Sequence, residues 1–217
     1  MIPTSLSTRR TILPDGSSVC SYPFNGEDVL VNDSASNALE IYLLYQDESV
    51  DEEEKALREI EMIFVNPDDA YLACDYSMAI FGDLIHKVLL EVFGIETRET
   101  VSNEPELFDV GEDAALIRTS LRMAYNIDWD TVRDSISWVE FLTLIWSLPY
   151  ETPLGARMYY RNPKNRPKPD KHNKEQVKEF DKYAALFALK KKQSSHDNAE
   201  DANSAMTDVA LSLAALV

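Results

Sequence analysis

The stretch from Asn66 to Phe93 carries apolar residues at helical spacing, and no other pattern constrains the fold as strongly. Asn66 and Pro67 are typical of a helix start, because the side chain caps free N–H groups and proline suits the first helical position. Gly94 is typical of a helix end, and Gly82 is a point at which the helix can divide. Two apolar rows cover a wide face: Ala73, Ile80, Leu84 and Val88, and Phe81, Ile85, Leu89 and Val92. The pattern predicts a central helix.

Similar patterns elsewhere predict a mainly α-helical fold. We expect further helices at residues 35–46, 51–64, 112–125, 131–148 and 174–192, and a short helix or turn at 152–161. Six glycines in 217 residues are few for a strand-rich protein. Strands are predicted only around the turn at Pro14, Asp15 and Gly16, which forms a small N-terminal β-hairpin. The predicted fold class is a helical bundle with this hairpin and an extended C-terminal helical arm.

Charge is distributed unevenly along the chain, whose formal net charge is -17. Residues 1–156 carry a net charge of -21, whereas residues 157–192 carry +8. Three prolines, Pro163, Pro167 and Pro169, punctuate the basic part and favour extended backbone. The predicted segments are an N-terminal hairpin (1–30), a helical body (31–160), a proline-rich basic linker (161–173), a C-terminal helix (174–192) and a low-complexity tail (193–217).

The sequence contains no pattern typical of an enzyme. Its three histidines, His86, His172 and His196, are scattered, and Cys20 and Cys74 lack metal-ligand spacing. There is no glycine-rich phosphate loop. We therefore expect no catalysis, no cofactor and no metal. The acidic body should repel nucleic acid and anionic membranes, and neither a signal peptide nor an apolar run long enough to span a membrane is evident, so we expect a soluble cytoplasmic protein.

Residues 107–161 resemble a known family of phage proteins. The matching positions are Phe108, Asp109, Asp113, Ile117, Tyr125, Ile127, Asp128, Trp138, Phe141, Leu148, Thr152, Tyr160 and Arg161. Their order and spacing are similar to those of the gene-product-fifteen family, the small acidic tail-module proteins of siphophages that infect Gram-positive hosts. The resemblance implies a tail assembly chaperone that binds the tape measure protein and helps recruit the tail-tube protein. It also implies several copies along the partner or a homo-oligomer, in the host cytoplasm and not in the mature virion.

An alternative function is an acidic phage inhibitor, or a nucleic-acid mimic, that acts on a host protein. A mimic needs acidic residues spaced regularly on one exposed face. Here many acids begin helices instead, as Asp51 to Glu54 do, where they interact favourably with the helix dipole.

Aromatic and basic residues are the candidate partner-binding residues. Trp129 and Trp146 are predicted to be exposed anchors, whereas Trp138 belongs to an apolar stripe and is predicted to pack in the core. The basic strip, residues 161–174, is either a solvated segment that only aids solubility or a flexible tether that finds acidic neighbours. As a tether it would act together with the apolar side of the helix after it, which supplies further contacts. For Tyr159, Tyr160 and Arg161, a structural corner between the body and the strip is an equal alternative to a contact. The full set is Trp129, Trp146, Tyr159, Tyr160, Arg161, Lys164, Arg166, Lys168, Lys171, Phe180, Tyr183 and Phe187.

Overall fold

A computed structural model describes residues 9–95 and 105–190. These residues form two compact units, which we describe separately. Unit 1 comprises residues 9–95 and 133–142, and unit 2 comprises residues 105–132 and 143–190. The mainly helical fold with a small N-terminal sheet is confirmed. The predicted tail at 193–217 lies outside the described residues.

Unit 1 begins with a three-stranded antiparallel sheet in the order β1-β2-β3. The strands are β1 (Arg10–Ile12), β2 (Ser18–Phe24) and β3 (Glu27–Val31). The predicted hairpin is confirmed as β1 and β2, but β3 was not predicted. Asn25 and Gly26 connect β2 to β3 with φ angles of 50° and 90°. Asn-Gly is a strong hairpin signal because both residues tolerate positive φ, so the third strand could have been predicted.

Four helices of unit 1 follow the sheet: α1 (Ala35–Gln46), α2 (Glu52–Ile63), α3 (Pro67–Leu72) and α4 (Met78–Val88). Asp51 caps α2 by accepting a hydrogen bond from the Glu54 backbone N–H at 2.8 Å, as its position in the acidic run indicates. Buried side chains of the strands and of α1–α4 form one apolar core. Trp138 packs against this core and donates its indole N–H to the Phe93 carbonyl at 2.8 Å, which confirms its predicted packing role.

The predicted central helix is interrupted. It begins at Pro67 and stops before Gly94 as predicted, with Gly94 at a φ of 69°. The interruption falls between α3 and α4, not at Gly82, which lies inside α4. Asp75 and Tyr76 adopt φ angles of 53° and 55°, which a continuing helix excludes. A π-helical turn, Leu89–Phe93, extends α4 to the predicted end.

The predicted helix at 131–148 is also wrong as a single element. The structure has α6 (Trp129–Val132) and α7 (Trp138–Trp146), with residues 133–137 between them. The N–H groups of Ala35 and Ser36, in the first turn of α1, have no partner within that helix. They donate to the carbonyl groups of Ile136 and Arg133, at 2.9 and 3.0 Å, so the break between α6 and α7 supplies the acceptors that the start of α1 needs. The Ser137 hydroxyl then accepts a hydrogen bond from the Glu140 backbone N–H at 3.2 Å, and this cap begins α7.

Unit 2 contains α5 (Ala114–Tyr125), α8 (Pro153–Arg161) and α9 (Lys174–Phe187), together with α6 and the last turn of α7. Helices α5 and α8 were predicted, and α9 ends at Phe187, earlier than the predicted 192. The extended C-terminal arm is a wrong prediction for the described residues, because α9 packs against α8. The physical reason is that α9 buries its apolar residues Val177 and Phe180 in its own unit.

Candidate partner-binding surface

All twelve predicted partner-binding residues lie in unit 2. They do not form one surface. Six of them come together where α8 meets α9: Tyr159, Tyr160, Arg161, Phe180, Tyr183 and Phe187. The two candidate tryptophans and the residues of the basic strip have separate surroundings.

A cluster of aromatic rings lies where α8 packs against α9, and we call it the tyrosine cluster. Its members are Tyr150, Tyr159, Tyr160, Phe180, Tyr183 and Phe187. Tyr160 lies at the centre, with ring centroids 5.0 Å from Tyr183, 5.2 Å from Tyr159, 5.4 Å from Phe180, 5.9 Å from Phe187 and 6.3 Å from Tyr150. These separations suit tilted and edge-to-face ring contacts, which contribute beyond simple burial. The cluster therefore holds α9 against α8.

The outer rim of the tyrosine cluster faces solvent. Phe180 is only 4% exposed, whereas Tyr150 is 48% exposed and Tyr159 is 39% exposed. Leu186 on α9 is 67% exposed. The Tyr150 and Tyr160 hydroxyl groups lie 3.2 Å apart, and this hydrogen bond, with partial desolvation, raises the pKa of Tyr160 to about 12. The cluster is thus anchored inside and presents tyrosine rings outside, an arrangement suited to binding an apolar partner.

Arg161 is buried beneath this cluster, which contradicts its predicted place in a solvated linker. Its side chain is 3% exposed, and that of Asp113 is 0% exposed. The guanidinium donates to both carboxylate oxygens of Asp113, at 2.5 and 3.0 Å. It also donates to the carbonyl groups of Leu107 and Phe187, at 3.1 and 2.6 Å. Arg161 therefore holds three segments of unit 2 together and is a structural residue, not an exposed contact.

The basic strip is more ordered than predicted. Pro163–Asn165 form a 3-10 turn instead of extended backbone, and the Asn173 amide donates to the Lys168 carbonyl at 2.8 Å. The Arg166 guanidinium donates to both carboxylate oxygens of Asp181 on α9, at 2.6 and 2.8 Å. This pairing raises the pKa of Arg166 and lowers that of Asp181. Lys164, Lys168 and Lys171 are exposed.

The two tryptophans differ from one another. The prediction that Trp129 is exposed is wrong, because it is 8% exposed at the start of α6. Trp146 is 47% exposed, as predicted, and its ring packs edge-to-face on Phe108 at a centroid distance of 5.6 Å. Of the two, only Trp146 is available to a partner in this structure.

Four residues important to this region were missed: Asp113, Tyr150, Arg157 and Leu186. Asp113 is one of the matching positions of the family pattern, which marked it as a residue of interest. Nothing in the sequence indicated that it forms an ion pair with Arg161. Arg157 lies 3.6 Å from the Asp113 carboxylate and over the Phe187 ring. Tyr150 and Leu186 carried no local signal, because their exposure depends on how α8 and α9 pack.

No chemical centre is apparent in the described ranges. Among residues 9–95 and 105–190, no group of three His, Cys, Asp or Glu side chains has an arrangement that holds a metal ion. Cys20 and Cys74 are both buried, and desolvation raises the pKa of each thiol, that of Cys20 to about 11. None of the helices in these same ranges is long and apolar enough to cross a membrane. The absence of catalysis, of a cofactor and of a metal stays a prediction.

Comparison with known proteins identifies the family. The family model described as bacteriophage Gp15 protein matches residues 16–189, which is well over half of the chain. No curated protein and no solved structure matches the chain. The match includes the residues 107–161 that carried the resemblance, and it extends through β2, β3, α1–α4 and α9. The chain therefore belongs to the bacteriophage Gp15 protein family.

Proposed function

We propose that this protein is a tail assembly chaperone, which binds the tape measure protein of its phage and helps recruit tail-tube subunits. Membership of a bacteriophage family supports a role in building the virus particle. The observation that carries the proposal is the tyrosine cluster, whose anchored rings and exposed rim suit a binding protein. In this proposal the protein works in the host cytoplasm in several copies and is absent from the mature virion.

The exposed rim of the tyrosine cluster suits a helical partner. Tyr150 and Tyr159 offer aromatic surface there, and Leu186 on α9 is a further exposed apolar side chain of unit 2. Tyrosine is frequent at the energetically important positions of interfaces. An amphipathic helix presents an apolar stripe of similar width, with polar residues on its flanks. A long helical protein such as the tape measure protein would offer such stripes repeatedly, and would need them covered until the tail forms.

Unit 1 supplies the solubility that a chaperone of this kind needs. Its described residues hold 20 acidic and 6 basic side chains, and those of unit 2 hold 11 acidic and 12 basic side chains. Excess charge of one sign keeps proteins apart in solution. A partner covered by copies of this protein would therefore carry a strongly acidic coat, which opposes aggregation of its apolar stripes.

The acidic inhibitor or nucleic-acid mimic is the less favoured function. Asp51 caps α2, Glu52, Glu53 and Glu54 occupy its first turn, and Asp68 and Asp69 occupy the first turn of α3. These acids have a local structural reason, since they complement the positive ends of helices. A mimic does not require acids at helix starts.

Co-purification with overlapping fragments of the tape measure protein tests the proposal. We expect one or more fragments to co-purify with the wild-type protein, and the Tyr150→Ala, Tyr159→Ala double variant to bind them about tenfold more weakly or worse, since interface aromatic residues often contribute more than ~1 kcal/mol each. Leu72→Ala is the matched control, because Leu72 is an exposed apolar residue of unit 1. If the wild-type protein bound no fragment but inhibited a host enzyme, the alternative function would replace this one.

A further inference from the structure

The solvent face of α2 carries an exposed leucine between acidic side chains. Glu53, Leu57 and Glu61 follow one another at a spacing of four, so they lie on the same side of the helix. Leu57 is 42% exposed. Lys55 and Arg58 form ion pairs with Glu52 and Glu54, respectively. Glu53 and Glu61 form no ion pair with any residue in the described part of the chain. We call Glu53, Leu57 and Glu61 the α2 face.

The strip from Arg166 to Lys174 has the complementary composition. Lys168 and Lys171 are exposed, and within 9–95 and 105–190 neither side chain has an ion-pair partner. Pro167 and Pro169 flank Lys168 and provide small apolar surfaces beside its charge. Proline also restricts the backbone before binding, so a strip of this kind loses little conformational entropy when it docks. The Asn173 amide, bonded to the Lys168 carbonyl, restricts it further.

We infer that the strip of one copy docks on the α2 face of a second copy of this chain. Charge complementarity indicates that a second copy is the binding partner. The strip is basic, and unit 1, which contains the α2 face, holds 20 acidic and 6 basic described side chains. Lysine ammonium groups would pair with Glu53 and Glu61, while a proline ring would cover Leu57. Single exposed ion pairs are weak, so the contact depends on several acting together with the apolar part.

Such a contact would be heterologous, because it joins two different surfaces. Each bound copy still carries a free strip and a free α2 face, so the contact can repeat from one copy to the next. This inference deepens the proposed function, which requires several copies along a long partner. It rests on the charges of this chain alone and needs no tape measure protein, so it is tested with the purified protein.

Two variants that each lose one side of the contact provide the test. The strip variant is Lys168→Ser, Lys171→Ser, and the face variant is Glu53→Gln, Leu57→Ser, Glu61→Gln. All five positions are exposed, so unchanged circular dichroism and thermal melting are expected. In sedimentation velocity, we expect the average mass of the wild-type protein to rise with concentration and to fall at high salt, because salt screens exposed charges.

The outcome of mixing distinguishes this contact from other arrangements. Each variant alone should remain monomeric at concentrations about tenfold above those at which the wild-type protein associates. An equimolar mixture should form dimers and nothing larger, because only one strip and one face remain intact per pair. A wild-type protein that is monomeric even at low salt would overturn the inference, as would variants that associate normally or a mixture that stays monomeric. A failure here would leave capture of tape measure fragments unaffected, so the two proposals are separable.

Discussion

Arg161 and Asp113 form a buried ion pair across 48 residues of sequence, and each is almost fully withdrawn from solvent. Arg161 is the last residue of α8, and Asp113 immediately precedes α5. The Asp109 backbone N–H donates to the same carboxylate at 3.1 Å. Because both charges are removed from water, Asp113 depends for compensation on Arg161 and, at the longer distance of 3.6 Å, on Arg157.

Replacing Arg161 with Gln should destabilise the protein by about 3 kcal/mol, since the buried Asp113 carboxylate then keeps only Arg157, 3.6 Å away, as an ionic partner. Arg161→Lys should also be strongly destabilising, because a lysine cannot reproduce the bidentate bond to Asp113 together with bonds to two carbonyl groups. Urea denaturation measures both effects.

Arg166→Gln is the matched control for this prediction. Arg166 also forms a bidentate bond with an aspartate, Asp181, but both side chains are substantially exposed. Water and salt screen such a pair, so its loss should barely change the unfolding midpoint. If Arg161→Gln and Arg166→Gln lowered the unfolding midpoint equally, the structural role of the buried pair would be contradicted.

Gly155 should tolerate no side chain. A Cβ atom at this position would lie 2.1 Å from the carbonyl oxygen of Pro149, a backbone atom that cannot move without disturbing the start of α8. We expect Gly155→Ala to lower stability by several kcal/mol, on the order of other severe overpacking changes. Gly82→Ala is the control in α4, where a Cβ meets nothing within 4 Å. It should stabilise by ~0.5–1 kcal/mol, so thermal melting should move in opposite directions for the two variants.

Local signals in the sequence predicted most helix starts and stops correctly. Asp51, Asn66 and Gly94 cap or end helices through residues within one turn of their own positions. Their roles can therefore be predicted without knowledge of the tertiary structure. Two local signals were overlooked. Asn25-Gly26 marks the β2–β3 turn, and Ser137 with Glu140 is a capping-box pattern inside the helix predicted at 131–148.

The candidate site could be predicted only in part, because its geometry depends on residues distant in sequence. Tyr159, Tyr160 and Phe180 were selected as aromatic residues near the basic strip, and they do come together. Arg161 was misassigned because a basic residue beside a proline-rich strip looks solvated until Asp113 is brought to it by the packing of α5 on α8. Trp129 was misassigned because a short helix start gives no periodicity from which to judge burial.

The two tryptophans should therefore respond differently to truncation. Trp129→Ala removes a buried ring and should cost about 3–5 kcal/mol of stability. Trp146→Ala removes a half-exposed ring, so we expect a much smaller effect on stability and, under the proposed function, weaker capture of tape measure fragments. Chemical denaturation and fragment binding, measured on both variants, separate these effects. A Trp146→Ala protein with full binding would remove Trp146 from the proposed interface.

Stability should depend on pH through Glu59. This side chain of α2 is buried and accepts a hydrogen bond from the Tyr45 hydroxyl, and desolvation raises its pKa from 4.5 to about 7. Because the folded-state pKa lies above the unfolded value, the folded protein binds more protons between these two pH values. The contribution of Glu59 to the free energy of unfolding is therefore fully present below pH 4.5 and is lost as the pH rises through about 7.

Glu59→Gln should remove this dependence, because glutamine can accept the Tyr45 hydrogen bond without becoming charged. Relative to the wild type, the variant should gain stability as pH rises, by up to about 3 kcal/mol above pH 7, since each pKa unit corresponds to about 1.4 kcal/mol. Glu61→Gln, on the same helix but exposed, should show no such gain. Urea denaturation at several pH values between 4 and 8 measures the difference. A constant difference between Glu59→Gln and the wild type across that range would show that the pKa of Glu59 is the same in the folded and unfolded protein, in spite of its burial.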